Sequence, residues 1–194
     1  MARPRGSRRV DVYGIKLNRR VQCFSDAAYH QWVCLEADPR VHAYCERPAL
    51  VEYGEDRLMV DYWVRKSDGD SLLILDEECR LSTAVINGTR YAVTTISHAE
   101  LAAFDVWVEN WERILPVITS CRTLVLDSLL KSVQRLVYKP IQLSHIEREL
   151  SPAEPTIVRA ALFTLLHRGT VQAPQLLTEP LSFLTQFVTT EDKS

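Results

Sequence analysis

Four acidic residues in the first half of the chain stand where carboxylates could bind a metal ion. Asp61 interrupts one apolar run, and Asp76, Glu77 and Glu78 follow directly on another. An aspartate forms strands poorly and is costly to bury without a partner. Hard cations such as Mg²⁺ take carboxylate oxygens as ligands. If the two runs are neighbouring strands, the acids would suit Mg²⁺-dependent phosphodiester cleavage, in which the metal activates water and stabilises the leaving oxygen.

Ordinary structural roles would also account for these acids. Asp61 could be a carboxylate on an edge strand that pairs with a nearby arginine. Asp76 could cap a following helix, and Glu77 and Glu78 would then favour the positive end of that helix. The sequence alone leaves these explanations open beside the metal site.

Other familiar site chemistries have no support in the sequence. The five histidines lack the spacing of metal ligands, and neither a Ser/His/Asp set nor a glycine-rich phosphate loop is visible. The five cysteines are scattered and form no Cys-x-x-Cys pair, which argues against a zinc site or a disulfide framework. No apolar run approaches the ~20 residues of a membrane span, and no signal peptide is recognisable. We therefore expect a reducing, cytoplasmic compartment and no membrane.

The first twenty residues are strongly basic. Seven arginines and lysines face a single acid, Asp11. Such a segment can neutralise phosphates and gain free energy from the release of counterions. The alternative is a solvated tail without a partner. Proline and glycine in this stretch favour an extended, mobile arm, and the candidate DNA-binding residues are Arg8, Arg9, Lys16, Arg19 and Arg20.

The periodicity of apolar residues predicts a mixed α/β layer fold that would position the acids. Ser25 opens the first helix, and Asp38-Pro39 ends it. Asn87-Gly88 marks a turn, and Ser97 with Glu100 forms a capping box before a further helix. The predicted strands are residues 41–45, 49–53, 58–65, 72–75 and 90–95.

The C-terminal part has a different pattern. Helices are predicted over residues 104–118 and 123–137, separated near Pro116 and Ser120. A second capping box, Ser144 with Glu147, opens a short helix; residues 156–167 form the next helix, and residues 170–187 a hairpin. Two short helices and a hairpin are typical of a winged helix. We divide the chain into a basic arm (1–20), an α/β domain (21–120) and a helical linker with a winged-helix domain (121–194).

At this point the pattern resembles a family, TnsA, the endonuclease subunit of heteromeric transposases. Cys45-Glu46-Arg47-Pro48 is similar to the family's Glu-Gln-Pro, and Val60-Asp61-Tyr62 to its Pro-Asp-Phe. Further segments that resemble the family, in the same order and spacing, are residues 20–25, 35–41, 88–93, 110–116, 165–169 and 180–182.

The resemblance implies a restriction-endonuclease-like core that cuts one DNA strand at the transposon ends, and a C-terminal domain that contacts an ATP-dependent regulator. The family's catalytic residues are a helix Glu, a strand Asp, and an acid or Gln two residues before a Lys. Here the helix Glu falls on Ala28, the strand Asp is Asp61, and Asp76 with Glu78 occupies the last pair without a lysine. Replacing Lys by Glu changes the local charge by two units, which is not conservative.

Three functions follow. The first is a transposition subunit with an impaired nuclease centre that binds transposon-end DNA, a DDE-type transposase and an AAA-type ATPase in a bacterial cytoplasm. The second is an active nuclease, with Asp61, Asp76 and Glu78 as catalytic residues and Asp61, Asp76 and Glu77 as ligands of Mg²⁺. The third is a winged-helix regulator, in which Thr156, Arg159 and His167 lie on the recognition helix.

Overall fold

The computed structural model describes residues 9–190 of the 194-residue chain. The chain divides into two compact units, residues 1–103 and 104–194. In the described part, no helix combines the length and the apolar character needed to cross a bilayer.

The N-terminal unit contains nine strands and two helices among its described residues. In chain order they are β1 (Val10–Gly14), β2 (Arg19–Cys23), α1 (Asp26–Ala37), β3 (Val41–Glu46), β4 (Leu50–Tyr53), β5 (Asp56–Met59), β6 (Tyr62–Lys66), β7 (Gly69–Ile74), β8 (Thr83–Ile86), β9 (Thr89–Thr95) and α2 (His98–Ala102).

The basic segment is a folded hairpin over its described part. β1 and β2 pair in antiparallel register, and Asn18 turns the chain with a φ of 51°. The prediction of a mobile arm over residues 1–20 is therefore wrong for residues 9–20, and residues 1–8 lie outside the described part. Alternation explains the difference. Val21 and Cys23 are buried on one face of β2, while Arg20 is exposed on the other.

Helix α1 begins and ends where the sequence predicts. The Ser25 hydroxyl accepts a hydrogen bond from the Ala28 N–H at 3.0 Å, and Asp38 follows the last turn. The capping box before α2 is also confirmed, with reciprocal bonds between Ser97 and Glu100.

Five strands form a mixed sheet in the order β3-β6-β7-β9-β8. β3, β6 and β7 are antiparallel neighbours, whereas β7 and β9 run parallel. β8, which the sequence reading missed, pairs with β9 through the predicted turn at Asn87-Gly88, and both turn residues have positive φ. The predicted mixed α/β fold class is thus confirmed.

The chain changes its strand partner at Val60 and Asp61. The prediction of one strand over residues 58–65 is wrong, because the structure has β5 and β6 there. The Val60 N–H donates to the Ala49 carbonyl at 3.0 Å, beside the β4–β5 hairpin. The next N–H, that of Asp61, donates to the Leu73 carbonyl of β7 at 3.0 Å. Asp61 is therefore the first residue that joins the central sheet.

Each face of the sheet has its own core. On one face, Val51 and Val60 from the β4–β5 side pack with Leu72 and Ala84, and Trp63 borders them. The other face carries α1, which is joined to β3 and β6 by buried polar contacts. The Trp32 indole N–H donates to the Tyr44 hydroxyl at 2.7 Å, which donates to the Glu36 carboxylate at 2.6 Å. This hydrogen bond offsets part of the free-energy cost of burying Glu36 completely.

The C-terminal unit is mainly helical. Its elements are α3 (Asp105–Cys121), α4 (Asp127–Leu136), β10 (Ile141–Gln142), α5 (Leu143–Glu149), α6 (Pro155–His167), β11 (Val171–Gln172), a 3-10 helix (Pro174–Leu177) and β12 (Gln186–Thr189). The short strands form a sheet in the order β10-β12-β11.

Helix α3 passes through Pro116 without ending. A proline inside a helix loses one backbone hydrogen bond, but the burial of Leu115, Ile118 and Cys121 offsets that cost. The whole of α3 belongs to the C-terminal unit and packs on α6. The division of the chain consequently falls between Ala103 and Phe104, ahead of residue 120.

The later elements follow the predicted order, but β10, the 3-10 helix within the predicted hairpin and the start of α5 were not predicted. α5 begins after Gln142, so Ser144 lies inside the helix and does not cap it. α6 agrees with its prediction, and Gly169 follows it with a φ of 77°. The buried Asn110 amide fixes the segment before β12. Its nitrogen donates to the Leu176 and Glu179 carbonyls, both at 2.8 Å, and its oxygen accepts from the Leu181 N–H at 2.6 Å.

Candidate functional site

The candidate acids Asp61, Asp76, Glu77 and Glu78 lie at one edge of the central sheet, which we call the acidic edge. Antiparallel pairing brings the end of β3, the start of β6 and the end of β7 to the same edge. The Arg47 N–H, just after β3, donates to the Asp61 carbonyl at 2.8 Å. Leu75 and Asp76 lie two and three residues after Leu73, the partner of Tyr62.

The Asp61 carboxylate is held by a backbone donor. Its Oδ2 accepts a hydrogen bond from the Leu75 N–H at 2.7 Å, directly before Asp76. Burial raises the pKa of Asp61 above its ordinary value, and the charge of Asp76 adds to the rise, whereas the Leu75 N–H and the charge of Arg47 oppose it. The structure thus brings Asp61 and Asp76 together. It favours a backbone-bound carboxylate over an edge-strand ion pair.

Asp76 starts a turn and not a helix. Its Oδ1 accepts from the Glu78 N–H at 2.9 Å, and the Cys79 N–H donates to its carbonyl at 3.3 Å. No helix follows, so the explanation of Asp76 as a helix cap is wrong. Glu77 and Glu78 are exposed in this turn, and the Tyr53 hydroxyl donates to the Glu78 carbonyl at 3.3 Å.

These carboxylates do not form a complete metal site. Nowhere in residues 9–190 do three or more His, Cys, Asp or Glu side chains converge as metal ligands. Of the predicted set, Asp61 and Asp76 are adjacent, and each already accepts a backbone N–H. Asp61 and Asp76 are therefore the two predicted ligands that the structure brings together.

The first turn of α1 lies next to this edge and is tied to β6 through a tyrosine side chain. The Tyr62 hydroxyl donates to the Ala28 carbonyl at 2.7 Å. Ala28, on which the resemblance places the helix Glu, is thus held close to the residue that follows Asp61.

The candidate DNA-binding arginines differ in their surroundings. Arg8 lies outside the described residues. Arg9 is paired with Asp11, with its Nη2 at 2.9 Å from Oδ1. Arg19 forms a two-pronged pair with the Glu46 carboxylate at 2.6 and 2.7 Å. Arg20 is exposed.

Lys16 is turned toward the protein. Its ammonium group donates to the carbonyls of Leu35, at 2.8 Å, and of Asp38, at the C-terminal end of α1. Burial lowers the pKa of Lys16 to about 8, although the charges of Glu36 and Asp38 act against that decrease. Its contacts are those of a helix cap and not of a side chain presented to DNA.

A shallow cleft of about 300 Å³ lies beside the acidic edge. Arg20, Gln22 and Phe24, at alternate positions along and just after β2, line it together with Glu46 and Arg47. The Arg47 guanidinium stacks over the Phe24 ring, 5.1 Å from its centroid. Sequence reasoning missed Gln22, Phe24 and Arg47 as site residues. The available signal was the alternation of Arg20, Gln22 and Phe24 with the apolar residues between them. That signal can be used only if β2 is recognised as a strand.

The proposed recognition helix is covered. Among the described residues of α6, nearly every side chain after its first turn is buried or half-buried, and α3, α4 and α5 all pack against it. Arg159 is paired with Glu147 and lies over the Phe183 ring, while His167 is buried. Thr156 alone of the three named residues is exposed. α6 therefore offers little surface to a DNA groove.

No protein-family model matches this sequence, and no curated protein matches it significantly.

Proposed function

We propose that this chain is a DNA-transposition subunit resembling TnsA, with a nuclease-like core whose catalytic centre is impaired. One observation carries the proposal. Asp61 and Asp76 adjoin at the ends of neighbouring strands, while Ala28 occupies the position where the third carboxylate would fall. The subunit would then act by binding transposon-end DNA and partner proteins.

The chemistry of the acidic edge supports a loss of activity. Asp61 and Asp76 each accept one backbone N–H and keep further lone pairs, so it is the missing third carboxylate and the missing lysine that support lost activity. The resemblance places Glu78 where a catalytic lysine would be. An acid in that place adds repulsion where a cation would help.

The C-terminal unit fits protein docking better than DNA reading. Its short strands and helices have the order expected of a winged helix, which is a further part of the proposal. Because α6 is enclosed, we assign this unit to contacts with a DDE-type transposase and an AAA-type ATPase.

The proposal predicts that cleavage by the assembled complex does not depend on this chain's acids. The purified chain is combined with the transposase and ATPase encoded beside it, and strand cuts at the transposon ends are mapped with Mg²⁺ present. We expect Asp61→Ala to leave every cut in place. Cuts that disappear with Asp61→Ala, but persist when the transposase acids are replaced, would show an active nuclease here. Neighbouring genes that encode neither partner would contradict the assignment to transposition.

An active Mg²⁺-dependent nuclease is the second candidate, favoured by the contact between Asp61 and the residue before Asp76. Calorimetric titration with Mg²⁺ or Mn²⁺ separates the two. Binding that Asp61→Asn and Asp76→Asn both remove would support the second candidate. No heat change, with or without DNA, supports the first.

A further inference from the structure

Strand β8 is an outermost strand of the five-stranded sheet and has β9 as its neighbour on one side only. The other outermost strand, β3, carries a β-bulge between Val41 and Ala43 and contacts β2. β8 has the sequence Thr-Ala-Val-Ile, without a charge, a proline or a bulge. Proteins commonly protect an exposed edge strand with one of these features, because an unprotected edge strand pairs readily with another strand.

The hydrogen bonds to β9 show which backbone groups of β8 point outward. The Val93 N–H donates to the Ser82 carbonyl at 2.9 Å, and in an antiparallel ladder every second residue pair exchanges such bonds. Ala84 therefore uses its backbone groups on β9. The N–H and C=O groups of Thr83 and Val85 point away from β9, and over the described part of the chain they have no hydrogen-bond partner.

The side chains beside these outward groups are exposed on one face of the sheet. Val85 is 57% exposed, and Thr83 is exposed on the same face, as is Thr94 of β9. β4 contacts β8 from the opposite face, where Val51 packs with Ala84, but β4 belongs to a separate sheet. An incoming strand would thus meet unpaired backbone groups between two β-branched side chains, which favour strand pairing.

β8 is complementary to a second copy of itself. When two β8 strands run antiparallel about a two-fold axis at Ala84, Thr83 of each copy lies opposite Val85 of the other. Each of these pairs exchanges two hydrogen bonds, so every outward backbone group of both strands finds a partner. Val85 also packs beside Thr83 of the other copy, a favourable cross-strand contact. A two-fold axis at Thr83 or at Val85 would pair only that residue within the strand.

The charges around β8 permit this pairing. β8 itself carries no charge, and the exposed cation beside Val85 is Arg90, its partner on β9. Three strand spacings and a shift of two residues would place the two Arg90 side chains about 16 Å apart in the paired sheets. This distance exceeds the Debye length of ~8 Å at physiological ionic strength, so repulsion between them is weak.

The ends of the chain itself are poorly suited to pair with β8. The four residues 191–194, Glu-Asp-Lys-Ser, include three charged ones, and residues 1–8 include Pro4 and Gly6. Acidic residues, lysine, proline and glycine are all depleted in strands. A second copy, in contrast, supplies a strand of β-branched residues in a register that satisfies both partners.

We propose that β8 pairs with β8 of a second copy of this chain, antiparallel about Ala84, and joins the two central sheets into one. The inference goes beyond the proposed function and does not depend on it, because the contact involves neither the acids nor DNA. A four-residue strand buries far less than the roughly 1,200 Å² of a stable interface, so we expect a dissociation constant on the order of 100 µM. Such a contact becomes populated where another molecule holds two copies close together.

The test measures self-association of the full-length chain by sedimentation equilibrium, from about 10 µM to about 1 mM. Val85→Lys places a charge at the proposed contact. The matched control, Thr94→Lys, adds the same charge to the same exposed face, one strand further in. Thr83→Lys is a second test variant at the other outward position, and thermal unfolding verifies that each variant is folded.

We expect wild type to dimerise weakly, and each test variant to raise the dissociation constant at least about tenfold, because a lysine on an edge strand opposes pairing. The control should change it less than about twofold, since its charge lies away from the contact. A chain that stays monomeric over the whole range, or an equal loss in the test variants and the control, would overturn the proposal.

Amide hydrogen exchange followed by NMR identifies the strand involved. The Thr83 and Val85 N–H groups should exchange more slowly as the protein concentration rises. The Ala84 and Ile86 N–H groups bond to β9 and should be protected at every concentration. Slow exchange of Thr83 and Val85 in the dilute monomer would mean that the chain's own residues occupy the position, and dimerisation without a change at Thr83 and Val85 would place the contact elsewhere. Either result refutes pairing through β8.

Discussion

Asp61 shows at the residue scale how a carboxylate can be kept where it lowers stability. Burial and the nearby charge of Asp76 both disfavour its ionised form, and a single backbone N–H compensates in part. Structural positions seldom keep such a residue when asparagine could make the same hydrogen bond. Sites that serve function commonly trade stability in this way.

We predict that Asp61→Asn stabilises the protein at neutral pH by about 1 kcal/mol, the usual scale of single-site changes. The pKa of Asp61 in the folded state lies above its unfolded value, so ionisation lowers stability as the pH rises through the folded value. The gain should shrink as the pH falls toward the ordinary aspartate pKa, where wild type is protonated too. Urea unfolding at several pH values measures it. A variant less stable than wild type at pH 7 would contradict the burial argument.

The residues of the acidic edge were only partly predictable. An acid inside an apolar run and another directly after one indicated that Asp61 and Asp76 meet, because strand ends are visible in the pattern. The direction of the Glu77 and Glu78 side chains was not predictable. It depends on the turn in which the Asp76 side chain accepts a hydrogen bond from the Glu78 N–H. The inward direction of Lys16 was not predictable, because a basic residue near other basic residues gives no sign that it will turn inward.

At the scale of elements, α1 depends on a lysine from the preceding hairpin. Lys16 donates to two carbonyls at the end of the helix, where no basic residue of α1 itself is present. The last carbonyls of a helix lack partners within it, so this contact substitutes for a C-terminal cap.

Lys16→Met should remove a pH-dependent part of the stability. In the folded state the pKa of Lys16 is about 8, below its ordinary value of 10.5, so the folded protein binds fewer protons than the unfolded chain between these values. Wild-type stability should therefore rise relative to that of the variant from pH 8 to 10, by on the order of 2 kcal/mol. The raised pKa values of Cys23 and Cys34 act in both proteins and cancel in the difference. A difference that stays constant with pH would show that Lys16 is not buried.

Elements were predictable where local chemistry decides them, as at Ser25, Ser97 and Asn87-Gly88. They were not where tertiary packing decides. α3 continues through Pro116 because the residues beyond it are buried, and Ser144 fails to cap α5 because that helix begins earlier, at Leu143. The break between β5 and β6 arises from a change of strand partner, which has no local signature.

At the scale of the whole molecule, the two units have separate cores. The C-terminal one is centred on α6, whose buried Leu162 and Phe163 lie among side chains of its own unit. The change in pattern near residue 140 indicated a C-terminal part. The division at Phe104 was not predictable, because α3 resembles a helix of either unit until its packing on α6 is known.

We predict that residues 104–194, produced alone, fold cooperatively and do not bind DNA, and that residues 1–103 retain the DNA affinity. The enclosure of α6 and the pairing of Arg159 with Glu147 are the reasons. Circular dichroism melting checks that each half folds, and fluorescence anisotropy with a labelled DNA duplex measures its DNA binding. DNA binding by the C-terminal half alone would restore the recognition-helix hypothesis.

The connection between β6 and β7 carries a consequence for how this sequence can vary. Only residues 67 and 68 separate the strands, and the ladder runs from Lys66–Gly69 to Tyr62–Leu73 without a bulge. An insertion or deletion of one residue there would require a different turn, a bulge or a shifted register, and a shifted register would separate Asp61 from Leu75. The residue types at positions 67 and 68 can therefore vary, whereas the length of the loop is constrained by the contact between Asp61 and Leu75 at the far end of both strands.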